Sequence, residues 1–414
     1  MPDQYHLDGN ARPGPPHRRP GGALHALREG NVRQILEVIS SDDGLTQAEV
    51  ARRTGLSRAT VSNLVAELRR RGLVRAGDRG LGGRGALEMV IAKSGAVVGV
   101  DFGYRHVRVG VADLAGRVLA DEEHPLPLDF DVQESCAEAR SMTGQLMERS
   151  GVRIEDVRQV GVGLPAPIDM ISGRVGWQAI LHRWAELDPR ATLEQAFRLP
   201  VVIDNDCNLG ALGEFRQGAG RGFTDIIYIN AANGVGAGFI LGGKLHRGAA
   251  GTAGEIGHMT VDPYGQTCRC GNRGCVDMVV GSAGLLDLLR SVYGAQLEVP
   301  QVIELAKQGD MRCHRALTDA GRALGAVVAD LCNLLSPQRV IVAGPIFRAG
   351  EMILGPLRET VEHRAVPAAA RAAQIVNSPL DERAEMVGAV WLALEAVRDR
   401  AARSSLSTGV IAAG

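Results

Sequence analysis

The feature that most constrains this chain is a repeated texture. "GAVVGVDFGYRHVRVGVADLAGRVLADEEHPL" begins at Gly95, and "DIIYINAANGVGAGFILGGKL" begins at Asp225. Each alternates apolar and polar residues across turns rich in glycine, the pattern of antiparallel strands in a meander. After the first come a helical stretch around residues 133 to 150, a strand "VRQVGVGLPAPID", and "LPVVIDNDCNLGALGEF", a strand running into a helix. Two segments that each open on a glycine-turn hairpin point to an internal duplication of α/β lobes with a ligand cleft between them. "GFILGGK" spaces like a phosphate loop, but Leu245 follows where a Mg²⁺-binding hydroxyl is required, so it is read as strand and turn.

Before the first repeat the texture is helical and rich in arginine. "NVRQILEVI" places Val32, Ile35, Leu36 and Ile39 on one stripe. In "TQAEVARRTGLSRATVSNLVAELRRRG", Thr46 and Glu49 form a capping box, Gly55 suits a tight turn, and Ser57 is an N-cap. This spacing predicts a helix-turn-helix. With Val61, Leu64, Val65 and Leu68 turned inward, the face free for the major groove carries Arg58, Ala59, Ser62, Asn63 and Arg70. "GLVRAGDRGLGGRGALEMVIA" predicts a wing with Arg84 at its tip, within reach of phosphate or a minor groove. A three-helix bundle used only for dimerisation is the competing reading. The net charge of -1 averages over several domains and does not argue against a DNA-binding head.

Residues 1–24, with their Pro, Gly and charge, are expected to be a disordered tail without the apolar core of a secretion signal. No run of eighteen apolar residues occurs, so the protein is expected in the cytoplasm, away from membranes. Clustered thiols in that compartment suggest metal. "CRCGNRGC" holds Cys268, Cys270 and Cys275, and His258 stands ten residues earlier in "GTAGEIGHMT". Three thiolates and one imidazole form a closed tetrahedral set for structural Zn²⁺, with Gly271 and Gly274 allowing the backbone to wrap the ion. Cys136, Cys207, Cys313 and Cys332 are isolated and are read as small buried hydrophobes. A zinc-bound imidazole has its second nitrogen fixed as a donor. With Glu255 and Asp277 nearby it is equipped to hold vicinal hydroxyls.

"GVGLPAPID", "DNDCNLGALGE", "GVGAGFILGGKLHRGAAGTAGEIGH" and "CRCGNRGCVD" together resemble the ROK family of repressors, open reading frames and sugar kinases, over roughly residues 96 to 400. The resemblance implies a two-lobed, actin-like and hexokinase-like (RNase H-like) α/β ATPase fold behind an N-terminal winged helix-turn-helix. It implies sugar contacts from Asn205, Asp206, Glu255, His258 and Asp277, with Asp206 as catalytic base only in a kinase. Family members usually carry Glu at 277. Kinase members resemble Asp-x-Gly-Gly-Thr at the first phosphate loop, whereas this chain has Asp101-Phe102-Gly103-Tyr104-Arg105. Asn233 replaces a threonine, and Gly344-Pro345 stands in place of a glycine triplet. ATP and Mg²⁺ are therefore not expected as cofactors. The expected boundaries are 25–93 for the head, 94–215 with 384–402 for the first lobe, and 216–383 for the second, with "EMVGAVWLALEAV" a long helix packing back on the first lobe. The expected function is transcriptional regulation, as a repressor of carbohydrate metabolism: a homodimer or homotetramer on operator DNA that responds to a small sugar or sugar phosphate. An ATP-dependent, glucokinase-like sugar kinase that retains a DNA-binding head is the alternative.

Overall fold

The computed structural model describes residues 21–41, 45–76, 88–91, 95–127, 131–169, 171–176 and 182–404. The chain divides into two compact units, Met1–Ile91 with Arg398–Gly414, and Ala92–Val397. The expected wing tip at Arg84 and residues 1–20 of the expected tail lie outside the described residues, and the first helix already begins at Gly21.

In the first unit, α1 (Gly21–Ser41) is followed by β1 (Leu45–Thr46), α2 (Gln47–Thr54), α3 (Arg58–Arg70), β2 (Val74–Ala76) and β3 (Glu88–Ile91). The strands form an antiparallel sheet in the order β1-β3-β2, the sheet of a winged helix. The local signals act as the sequence predicts. The Thr46 hydroxyl accepts the Glu49 N–H at 3.3 Å while the Glu49 carboxylate accepts the Thr46 N–H at 2.7 Å. Gly55 ends α2 at φ 71°, a conformation costly for any residue with a Cβ. Ser57 caps α3 by accepting the Thr60 N–H at 3.1 Å. The apolar stripe of α1, Val32, Ile35, Leu36 and Ile39, is buried, as are Val61, Leu64, Val65 and Leu68 of α3. The buried Glu67 is compensated by two guanidinium groups, Arg28 at 2.7 Å and Arg71 at 2.5 Å.

The second unit is a duplicated α/β plan. Its first half contains β4 (Ala96–Phe102), β5 (His106–Asp113), β6 (Val118–Pro125), α4 (Val132–Ser150), β7 (Val157–Leu164), α5 (His182–Ala185), α6 (Pro189–Phe197), β8 (Val201–Asn205) and α7 (Asp206–Gln217). Its second half contains β9 (Ile226–Ala231), β10 (Val235–Leu241), β11 (Lys244–His246), α8 (Ser282–Tyr293), α9 (Val299–Lys307), α10 (Met311–Leu335), β12 (Arg339–Ala343), α11 (Glu351–Arg364), α12 (Pro367–Ala372) and β13 (Gln374–Asn377), and is followed by α13 (Ala384–Ser404), which belongs to this unit up to Val397. The two sheets run β6-β5-β4-β7-β8 and β11-β10-β9-β12-β13. In each, three antiparallel strands are extended by two parallel ones, so the second sheet repeats the first. The rejected phosphate-loop motif is the β10–β11 hairpin.

Each half buries its own apolar cluster: one centres on Val98, Val109, Leu146 and Val162, the other on Ile229, Leu317, Leu324 and Val342. Helix α13 lies against β4 and β7 so closely that a Cβ at Gly161 would overlap the Ala389 carbonyl. From Arg398 onward its residues belong with the first unit, where Asp399 pairs with Arg33 at 2.7 Å and the Ala401 carbonyl accepts from Arg71. Among the described residues no helix is long and apolar enough to cross a membrane.

Candidate ligand cleft and metal centre

Within the second unit a pocket of about 580 Å³, open to solvent, lies between the two sheets. Tyr104, Asn205, Asp206, Glu255, His258, Arg269 and Asp277 all line it, with the Asn233–Gly236 turn along one side. All five residues expected to hold a sugar therefore share one cavity. Asn205 ends β8 and caps α7, its side-chain oxygen accepting the Asn208 N–H at 3.1 Å and its amide donating to Asp206 at 2.9 Å. Asp206, the first residue of α7, also accepts the Cys207 N–H at 2.7 Å. Burial, then the charge of Asp101, pushes its carboxyl up to about 7. Burial also raises Glu255.

His258 closes a 3₁₀ turn over Ile256–His258. Its Nδ1 faces the Cys268 sulfur at 3.6 Å, and its Nε2 faces the Glu255 carboxylate at 3.8 Å on the pocket side. The ligand atoms of His258, Cys268, Cys270 and Cys275 all lie within 4.8 Å of one another. Gly274 takes φ 59° and has no room for a side chain, because a Cβ would overlap the Asp262 carbonyl, so the knuckle requires glycine there. One imidazole and three sulfurs at this separation fit a tetrahedral zinc ion. Cys136, Cys207, Cys313 and Cys332 are buried thiols away from this group, as the sequence indicates.

Close to the pocket lie further buried titratable groups of this chain. His106 donates Nε2–H to the Asp101 carboxylate at 3.0 Å, and its ring occupies the space a Cβ at Gly103 would need. Burial alone would depress this imidazole, but the hydrogen bond and charge of Asp101 outweigh it and raise it to about 9. Glu385, in the first turn of α13, accepts the Tyr228 hydroxyl at 2.7 Å and the Asn230 amide at 2.9 Å. Burial and the neighbouring Asp101 and Asp206 raise its carboxyl to about 8. Tyr104 stands at the pocket wall with Arg269 over its ring, 6.0 Å from the centroid.

Asp277 proves more occupied than a free sugar acceptor would be: its two oxygens accept the Val235 N–H at 2.6 Å and an Arg269 N–H at 3.0 Å. His106, Glu385 and Arg269 went unnoticed in the sequence. Arg269 was legible in principle, since it stands between two metal-type cysteines; the other two depend on partners set by the fold.

In the first unit, Arg58, Ala59, Ser62, Asn63 and Arg70 are all exposed along one face of α3. The opposite face of this helix, with Val61, Leu64, Val65 and Leu68, is core.

Comparison with known proteins gives a consistent picture. A xylose repressor of Caldicellulosiruptor bescii is 29% identical over 384 residues, covering 89% of this chain and 96% of that protein. The crystal structure of a ROK family transcriptional regulator, a homolog of the E. coli MLC protein, superposes with a TM-score of 0.77 at 22% identity over 91% of this chain and 98% of its own. A ROK family glucokinase from Streptomyces griseus, solved with glucose and AMPPNP, gives a TM-score of 0.63 at 31% identity over 73% of this chain and 100% of its own. Residues 29–85 match the MarR family, in agreement with the winged helix. Residues 97–396 match the ROK family over the whole two-lobed unit, and the chain belongs to that family.

Proposed function

We propose that this protein is a DNA-binding transcriptional repressor of carbohydrate metabolism that senses a sugar in a cleft no longer fitted to nucleotide. The observation that carries this reading is the contrast across the cleft. Asn205, Asp206, Glu255 and His258 converge on one pocket, whereas the phosphate side is taken up by Tyr104, the Asp101–His106 pair and Glu385. Backbone amides must approach transferring phosphates closely, and the Tyr104 side chain and the paired Asp101 and His106 occupy that side instead.

In this reading His258, Cys268, Cys270 and Cys275 hold a structural zinc ion, which fixes the imidazole orientation and carries no chemistry of its own. The Nδ1 side of His258 faces the thiols, so Nε2–H is the donor left for a sugar hydroxyl, with Glu255 beside it as acceptor. Arg58, Ala59, Ser62, Asn63 and Arg70 read the major groove, and a homodimer or homotetramer supplies two such heads to an operator. Sugar binding favours one angle between the lobes and shifts the DNA-binding equilibrium.

The test is a gel shift with the DNA upstream of the protein's own gene, with and without xylose, glucose and their phosphates. A sugar-dependent change in bound fraction is expected, and binding indifferent to every sugar refutes the sensor. A second reading, an ATP-dependent sugar kinase, is favoured by one observation: Asp206 is raised to about 7, near the value a general base requires. ADP release that depends on sugar and disappears in Asp206→Asn would establish it.

A further inference from the structure

The cysteine knuckle sends a second side chain into the cleft besides His258. Arg269, between Cys268 and Cys270, donates Nη2–H to Asp277 at 3.0 Å and Nη1–H to the Tyr104 hydroxyl at 3.2 Å. Its guanidinium lies along the glycine turn, where a Cβ on Gly234 would stand 3.0 Å from Nη2 and 3.1 Å from the nearer Asp277 oxygen. A guanidinium has five N–H groups; among the described residues two are engaged here, and the side chain remains 36% exposed at the pocket wall. Asp277 is 9% exposed, with the Val235 N–H on its other oxygen. At this edge of the cleft the ligand therefore meets a fan of donors in place of a free carboxylate.

We propose that Arg269 is the specificity-determining residue of the cleft, selecting a sugar that places an acylamino carbonyl oxygen beside Asp277. An oxygen that only accepts matches a donor-only group best, since a hydroxyl must still find an acceptor for its own proton. Two kinds of sugar offer such an oxygen, acylamino sugars and sugar acids. The charges around the pocket separate them: Asp206, Glu255 and Asp277 face a single guanidinium. A further carboxylate adds an anion to a site already rich in them, whereas a neutral amide carbonyl does not. The guanidinium's planar fork, clasped at both ends by Tyr104 and Asp277, presents its remaining donors in a fixed direction.

This inference rests on the cleft being a sugar site, and the experiment separates the two. Isothermal titration of the full-length protein would use glucose-, galactose- and mannose-configured sugars in three forms: unmodified, N-acetylated at carbon 2, and oxidised to the uronate. The N-acetylated form of one configuration should bind about tenfold or more tightly than its unmodified and uronate forms. Arg269→Ala should lose that preference, weakening the N-acetylated sugar about tenfold or more while the unmodified sugar changes less than about threefold. Arg269→Lys, which keeps the charge without the fork, should retain the fold and lose most of the preference, and it serves if the alanine variant does not fold. Unmodified sugars binding as tightly as N-acetylated ones, uronates binding tightest, or variants that weaken all forms equally would each overturn the role of Arg269 while leaving the sensor standing. Failure of every sugar to bind the unaltered protein would overturn both.

Discussion

Glu385→Gln is the substitution whose effect can be worked out most fully. The buried carboxyl of Glu385 is raised to about 8 from the usual glutamate value, by burial first and then by Asp101. Its folded state therefore holds a proton that the unfolded state has released, throughout the window from about pH 4.5 to 8. In that window the unfolded chain binds fewer protons, so stability falls as pH rises, and the loss is complete above about pH 8. A shift of this size corresponds to at most about 5 kcal/mol. Sharing of charge with Asp101 and Asp206 reduces the part that one residue controls to about 2–3 kcal/mol. Glutamine has the same shape and its carbonyl can accept from both Tyr228 and Asn230, so the variant keeps the two hydrogen bonds and never acquires the charge. The expected result is a variant that melts within about 1 °C of the parent at pH 5.5 and several degrees, roughly 3–6 °C, above it at pH 8.5. Differential scanning calorimetry from pH 5.5 to 9 measures this. A difference between variant and parent that does not change with pH, or a variant destabilised at every pH, would show that Glu385 is not held in its neutral form.

Other consequences are open to direct measurement. Cys275→Ser should lower bound zinc well below one equivalent by elemental analysis and, by freeing the knuckle that carries Arg269, should abolish any sugar-induced rise in melting temperature. Gly161→Ala forces a methyl group into the Ala389 carbonyl and should lower stability by about 1–3 kcal/mol, read as an earlier urea midpoint. Ser57→Ala removes the cap of α3 and should cost about 1 kcal/mol, whereas Ser57→Asp, which keeps an acceptor, should not. Asn63→Ala should weaken operator binding by roughly tenfold or more and leave binding to unrelated DNA nearly unchanged; equal losses on both would move the recognition face elsewhere.

What could be read from the sequence was whatever depends on neighbours along the chain. The capping box at Thr46, the turn at Gly55 and the cap at Ser57 are decided within four residues, and they fall where expected. The three-strand meanders are equally local, so the repeat of β4–β6 by β9–β11 was legible from glycine turns and alternation. The metal-type cluster was also legible, because His258 and the three cysteines lie in one short segment whose spacing alone brings their ligand atoms together. Pairings across long separations were not. Glu385 meets Tyr228 and Asn230 only because α13 returns to the cleft after more than 150 residues. In sequence it is one acid at the head of an apolar helix, with nothing to mark it as buried. Arg269 and Tyr104 are brought together by the arrangement of the lobes, 165 residues apart. Asp277 shows the limit from the other direction: its kind and position were clear, but the two donors that occupy it come from a strand start and a knuckle the sequence did not connect.

The winged helix is not finished by its own ninety residues. Arg33 and Arg71 find Asp399 and the Ala401 carbonyl, and Arg71 lies 330 residues from its partner along the chain. A fragment stopped at Ile91 leaves Arg33 without Asp399 and Arg71 without the Ala401 carbonyl, while Arg71 still pairs with Glu67. Any alteration of the last turns of α13 acts on the DNA-reading module, however far from it the alteration looks on paper.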